Sequence, residues 1–193
     1  CFRRYLGQDY LFLIHFARAY ALAAYKAVTL AEIRAAAAGM SAIIDTEIKL
    51  HVDYCAGWGL DQDDMETLPE ASATMAYTRY VLERGPQGDL LDLYVALAPC
   101  VIGYGEIGAR LAGDAGTKLE GNPYASWIAM YAGDKYQDVA RDHAETLDRL
   151  WQERAGGDRV HQLAATFAQA TQLEVGFWQM GLDAVEADED ITN

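Results

Sequence analysis

Apolar side chains recur along this chain at three- and four-residue steps, the period of a helix face and not the alternation of a strand. Leu6, Asp9, Phe12, Phe16, Tyr20 and Ala23 share one such stripe, which predicts a first helix running to about Ala27. Thr29 followed by Glu32 is a capping-box pattern, in which the two side chains satisfy backbone N–H groups left free at a helix start. Behind it an Ala-rich second helix continues through Ile43, Glu47, His51 and Tyr54 until Gly57 and Gly59 stop it. An acidic loop, Asp61 to Glu66, and Pro69 lead to a third helix carrying Met75, Tyr77, Tyr80, Val81 and Leu82, which "RGPQGD" breaks.

The next stripe, Leu90, Leu93, Tyr94, Leu97, Cys100, Val101, Tyr104, Ile107 and Leu111, passes through Gly103, Gly105 and Gly108, which spell G-x-G-x-x-G. A dinucleotide loop needs a preceding strand and an acidic residue about 20 positions on. Neither is present, and Pro99 occupies a position where a ladder N–H would be needed. The glycines are read instead as close-packing points on a buried helix, with Pro99 expected to bend it just before Cys100 and aim the thiol. Asn122-Pro123 reads as the cap and first residue of a short helix through Trp127, Ile128 and Tyr131. Beyond Gly133 a helix is expected from Asp134 to about Arg154. Gly156-Gly157 then turns the chain, and Asp158 is expected to cap a last helix presenting Leu163, Phe167, Ala170, Glu174, Phe177, Trp178 and Gly181. Helices joined by short polar loops predict an all-α, single-domain helical bundle over 1–185, followed by a solvated acidic tail, 186–193.

The totals narrow the function class. With 193 residues and 52% hydrophobic composition the chain supports one well-buried core. A net charge of −14, with 15 Lys and Arg against 29 Asp and Glu, argues against nucleic acid as a partner, since that binding rests on clustered cations releasing counterions. Cys1, Cys55 and Cys100 form no C-x-x-C pair, and their odd count suits a reducing compartment, so a cytoplasmic location is expected. The apolar region Leu11 to Ala38 is interrupted by His15, Arg18, Lys26, Glu32 and Arg34, short of the ~18 apolar residues of a membrane span, and no signal peptide is expected. The chain opens on Cys1-Phe2-Arg3-Arg4 and is amphipathic at once, which raises the expectation of residues upstream.

Several polar groups stand on the apolar stripes. Asp9 shares a face with Phe12 and Phe16, Cys100 lies one turn before Tyr104, Tyr77 sits among Met75, Tyr80 and Val81, and Glu174 stands between Phe167 and Phe177. Singly, a buried Cys reads as a small hydrophobe and a helical Tyr as core. An ionised carboxylate inside an aromatic stripe is costly without partners, so Glu174 must be paired or protonated. Asp9 could pair with Arg3 or Arg4 at the surface. Together, a thiol, two carboxyls and several aromatics on inward faces would build a cavity able to stack a flat ring, bind its edge and attack it.

The stretches "GQDYLFLIHFARAY", "AYTRY", "PCVIGYGEIG", "NPYASWIAMYAGDKY" and "LEVGFWQMGL", in this order and covering most of the chain, resemble the TenA family of thiaminase II, or aminopyrimidine aminohydrolase. The resemblance implies a haem-oxygenase-like bundle around a pyrimidine pocket, and a homotetramer. It implies Cys100 as nucleophile and Glu174 as acid/base on the ring nitrogen and leaving group. Asp9 would bind the aminopyrimidine edge, Tyr77, Tyr104 and Tyr131 fall on the pocket tyrosines, and Phe177 on the pocket phenylalanine. Phe12 stands where the family often has Tyr, losing a hydroxyl and keeping a stacking face. The implied substrate is a small-molecule aminopyrimidine from thiamin breakdown, converted to hydroxymethylpyrimidine, with slower cleavage of thiamin itself. No metal or organic cofactor is implied. The family's usual first helix would lie before Phe2. An Ala-rich outer face on the first two helices would suit subunit contacts, although such faces also pack within one chain.

No His lies one turn from Cys100, so its thiolate would depend on the pocket, on proton transfer to Glu174 or Asp9, or on a hydroxyl from Tyr104 or Tyr131. A rival reading is a haem-oxygenase-like di-iron oxidase, drawn from Glu47 and His51 at i and i+4 and from Asp142-His143. Against it, Glu47 and His51 can equally form a helix salt bridge or support the pocket rim, and the last helix adds no His beside Glu174. A third is a non-catalytic pyrimidine-binding or regulatory protein.

Overall fold

A computed structural model of the chain describes residues 1–154, 156–157 and 159–184. Among these every regular element is helical: α1 (Phe2–Lys26), α2 (Leu30–Ala42), a π turn (Ile43–Glu47), α3 (Ile48–Ala56), α4 (Gln62–Glu66), α5 (Ser72–Gln87), α6 (Leu90–Gly113), α7 (Ala125–Ala132), α8 (Asp134–Arg154) and α9 (Arg159–Leu182). The expected all-α architecture is therefore what forms. α6 is the axis, packed against α5, α7, α8 and α9, while α1 packs against α2, α3, α5 and α9. Much of its length is buried by these neighbours; it is also the one described helix long and apolar enough to cross a membrane, a property the sequence reading assigned to no segment.

The starts of the helices are fixed as their sequences dictate. Thr29 Oγ1 accepts from the Glu32 N–H, and Glu32 Oε2 accepts from the N–H groups of Thr29 and Val28, completing the capping box. Asp89 and Asp92 form a second such box at the start of α6, and Arg159 donates to both carboxylates, tying the start of α9 to it. Gln8 on α1 accepts from Ala71 N–H and the Thr74 hydroxyl and donates to the Pro69 carbonyl, which sets the entry of α5.

Five local expectations change. The expected acidic loop, Asp61 to Glu66, winds as α4, capped by the Asp61 side chain on the Asp64 N–H. The second helix is continuous in direction but carries the π turn, whose i→i+5 bond runs from Ile48 N–H to Ile43 O. α5 runs through Gly85-Pro86 to Gln87 where a break was expected; Gly85 is needed because a Cβ there would strike Leu22 of α1. α7 begins at Ala125, because Asn122 Oδ1 accepts from the Tyr124 N–H and closes a turn before the helix. The glycines of the false fingerprint divide: a Cβ on Gly108 would lie 2.6 Å from Tyr131 and one on Gly105 3.1 Å from Ala140, but Gly103 has open space around it. α6 continues unbroken past Pro99. Asp158 and the acidic tail lie outside the described residues.

Candidate active site

Cys100 projects from the middle of α6 into a cavity of about 460 Å³. Its wall is completed by Phe16 and Tyr20 of α1, Ile43 and Glu47 of the π turn, Met130 of α7 and Tyr136 of α8. The thiol is nearly covered, and burial pushes its pKa well above the ordinary thiol value, with the charges of Glu174, Glu47 and Asp9 adding to the effect. A thiolate at rest is disfavoured, because burial penalises its charge and any ionised carboxyl nearby opposes a second negative one.

Behind the thiol lies a layer of aromatic rings and two carboxyls. Phe12 of α1 packs on Tyr77 of α5 at 5.0 Å and on Phe177 of α9 at 5.2 Å between ring centroids. Tyr104 and Tyr131 approach at 5.0 Å, and Tyr104 also faces Trp178. Glu174, one turn before Trp178 on α9, is buried against this layer, and its Oε2 has no hydrogen-bond partner. The Tyr77 hydroxyl is equally unpartnered. Burial and then the Asp9 charge raise Glu174 to about 8, although the nearby hydroxyls of Tyr77 and Tyr104 and the Trp178 indole pull it down. At neutral pH Glu174 therefore holds its proton.

Asp9 has the opposite surroundings. Its Oδ2 accepts from Tyr5 Oη at 3.0 Å and meets His51 Nε2 at 2.6 Å. With the single Tyr5 proton committed to Asp9, the Tyr104 hydroxyl at 3.0 Å donates to Tyr5 Oη, so the network reaches α6. His51 Nδ1 lies 2.7 Å from the Glu47 carbonyl. A carbonyl can only accept, and so can an ionised carboxylate, so both ring nitrogens donate and His51 is an imidazolium paired with Asp9. Burial alone would lower the His51 pKa, but the hydrogen bond and charge of Asp9 outweigh it and the value is raised. Asp9 Oδ1 receives no hydrogen bond from the described residues, and Asp9 is buried behind the cavity wall.

The structure thus brings together all eight residues singled out by sequence: Asp9, Phe12, Tyr77, Cys100, Tyr104, Tyr131, Glu174 and Phe177 are buried in one contiguous region. Cys100 alone among them lies on the wall of the cavity, the others forming the layer behind it. Two alternatives fall away. Asp9 is internal and paired with His51, not with Arg3 or Arg4, and Glu47 and His51 form no side-chain ion pair because His51 turns to Asp9 while the Glu47 side chain faces the cavity. Tyr5 was missed, although its place one turn before Asp9 is the signal that could have found it. The oxidase reading finds no cluster: His143 is held by the Tyr94 carbonyl at 3.0 Å and its pKa is lowered to about 4 by burial, and no group of three or more His, Cys, Asp and Glu among the described residues is placed to hold a metal ion.

Comparison with known proteins places the chain in a family. An uncharacterized protein of Haemophilus influenzae is 39% identical over 95% of this chain and 84% of its own length. An aminopyrimidine aminohydrolase of Halalkalibacterium halodurans is 33% identical over 93% of this chain and 79% of its own. The crystal structure of a TenA family transcription regulator from Silicibacter sp. TM1040 superposes with a TM-score of 0.88 and 46% identity, covering 94% of this chain and 81% of that one. Residues 1–184 match the model of the TENA/THI-4/PQQC family, and the chain belongs to that family.

Proposed function

We propose that the chain is an aminopyrimidine aminohydrolase that replaces the amine of an aminomethylpyrimidine by hydroxyl, supplying hydroxymethylpyrimidine for thiamin salvage. The observation that carries this reading is a thiol on a cavity wall with a protonated carboxyl and a carboxylate whose Oδ1 receives no hydrogen bond, from α6, α9 and α1, buried close behind it. Asp9 Oδ1 accepts from the exocyclic amino group and the rings of Phe12, Tyr77 and Phe177 stack on the heterocycle. The Cys100 sulfur adds to the electron-poor ring carbon beside the substituted one, and its proton passes through Glu174 to the ring nitrogen. A carboxyl poised near 8 suits this relay, since it both accepts and returns a proton near neutrality. The thiolate then exists only as the adduct forms, and no cation has to hold it beforehand. The ring electrons expel ammonia, water adds to the exocyclic methylene, and the ring loses its proton as the carbon–sulfur bond breaks. Thiamin, whose leaving group is the thiazole, follows the same course more slowly.

The test is ammonia release from aminomethylpyrimidine by the purified protein and by Cys100→Ser. The expected loss is at least about 10³-fold, as for removal of a nucleophile that acts with its partners as a unit. Equal turnover by both proteins would refute the cysteine mechanism. One observation favours a second reading, binding without turnover: the three carboxyls around Cys100 all raise its pKa. Tight binding of the pyrimidine with no ammonia release would establish that reading instead.

A further inference from the structure

Three carboxyls surround Cys100, and the chemistry above uses two of them. Asp9 is neutralised by His51 and Glu174 is enclosed by tyrosines and an indole. Glu47 is different. It ends the π turn, its side chain lies on the same cavity wall as Cys100, and it forms no salt bridge among the described residues. The Tyr131 hydroxyl faces it from α7, and Asp9 and His51 lie beyond it on α1 and α3. Protein surrounds Glu47, yet it keeps accessible surface, because what it looks onto is the cavity. Lys135 and Asp134, which also border the cavity, are exposed and of opposite charge.

We propose that Glu47 marks the leaving-group end of the cavity, where its carboxylate binds the cationic substituent of the substrate and thereby selects for pyrimidines that carry a positive charge on that side. The inference rests on the aminopyrimidine reading and adds to it a residue and a basis for choice. An aminomethyl group is an ammonium ion at neutral pH and the thiazolium of thiamin is a fixed cation, whereas the hydroxymethyl product is neutral. A carboxylate in a partly desolvated wall attracts such a cation more strongly than it would in water. Without one, burial and the Asp9 charge raise Glu47 to about 7, so it is only partly ionised until a cation arrives. Binding the cation and not the neutral product also favours product release.

The measurement is titration calorimetry at neutral pH in a Cys100→Ser background, which prevents turnover, with aminomethylpyrimidine and hydroxymethylpyrimidine as the two ligands. Adding Glu47→Gln should weaken the cationic ligand at least about tenfold and leave the neutral one within about twofold. Glu47→Asp, which keeps the charge, should restore most of the preference. Where the amide does not fold, Glu47→Ala serves, since it only enlarges a cavity already present. Equal loss for both ligands, or no loss for either, would overturn the proposal while leaving the aminopyrimidine reading intact. Failure of both ligands to bind the Cys100→Ser protein with Glu47 present would remove that reading and this inference with it.

Discussion

Asp9 and Glu174 are both carboxyls buried in the same aromatic layer, and the two sides of that layer treat them in opposite ways. On the side built by α1 and α3, Asp9 is bound by His51 and Tyr5, and Tyr5 is bound in turn to Tyr104. On the side built by α5, α6 and α9, Glu174 Oε2, Tyr77 Oη and the Trp178 indole N–H are all buried without partners. Unsatisfied buried polar groups cost about 1–3 kcal/mol each, so this second side is held in place by packing and is suited to groups that a ligand brings. The difference separates a wall that holds its shape beforehand from one whose hydrogen bonds await the substrate.

The sharpest way to break the comparison is to remove the acid. Glu174→Gln should lower turnover of aminomethylpyrimidine by about 10²–10⁴, the usual worth of a positioned acid/base. A loss smaller than tenfold would place the proton transfer elsewhere. Next, His51→Ala strips Asp9 of its counter-charge and should destabilise the protein by about 3–5 kcal/mol, because an unpaired charge remains in the core. Urea denaturation would measure this, and Asp9→Asn combined with His51→Ala should recover part of it. A His51→Ala protein of unchanged stability would mean that the pair is not ionised.

Acidity distinguishes the two sides further. Glu174 is raised from 4.5 to about 8 and Glu47 to about 7, so each stays protonated in the folded chain at pH values where it ionises in the unfolded one. The stability this represents is complete below the unfolded value and is lost as pH rises through the folded one. Between the two values stability falls by about 1.4 kcal/mol per pH unit for each such group. His51, raised by its partner, acts in the same direction above its ordinary range. Denaturation between pH 5 and pH 8, taken as about those limits, should therefore show a shallower decline for Glu174→Gln than for the unsubstituted chain; equal slopes would show Glu174 already ionised.

The smallest effects come from the glycines of α6. Gly108→Ala forces a Cβ against the Tyr131 backbone and should cost about 1–3 kcal/mol. Gly103→Ala meets nothing within 4 Å and should be neutral or stabilising by about 0.5–1 kcal/mol. Thermal melts of the pair would decide whether the glycines serve packing or backbone freedom, and a costly Gly103→Ala would contradict the packing account.

The stripe of Leu6, Phe12, Phe16 and Tyr20, and the longer one through Cys100, made the helices legible, because burial on one face repeats every turn. The capping boxes at Thr29 and Asp89 fixed two starts for the same local reason. The resemblance of five stretches to one family singled out the eight candidate residues, and the structure buries all of them. What could not be read was the partner of Asp9. His51 lies 42 positions away, and only the packing of α3 on α1 brings them together. Nor does any residue type announce a π turn: Ile43 to Glu47 is an unremarkable helical sequence, and the i→i+5 winding is visible only in the bond from Ile48 to Ile43. Gly85-Pro86 misled for a related reason, since local turn chemistry was overruled by contact with Leu22.

That wide turn makes the spacing between Gly39 and His51 a matter of phase. Losing one residue would let the segment rewind in phase, whereas winding the same residues as ordinary α-helix, with none removed, would rotate everything downstream by about 100°. The imidazolium would then swing off its carboxylate and Glu47 off the cavity together. Loss of the wide winding in this stretch would be silent in helix content and felt on another helix, across the core.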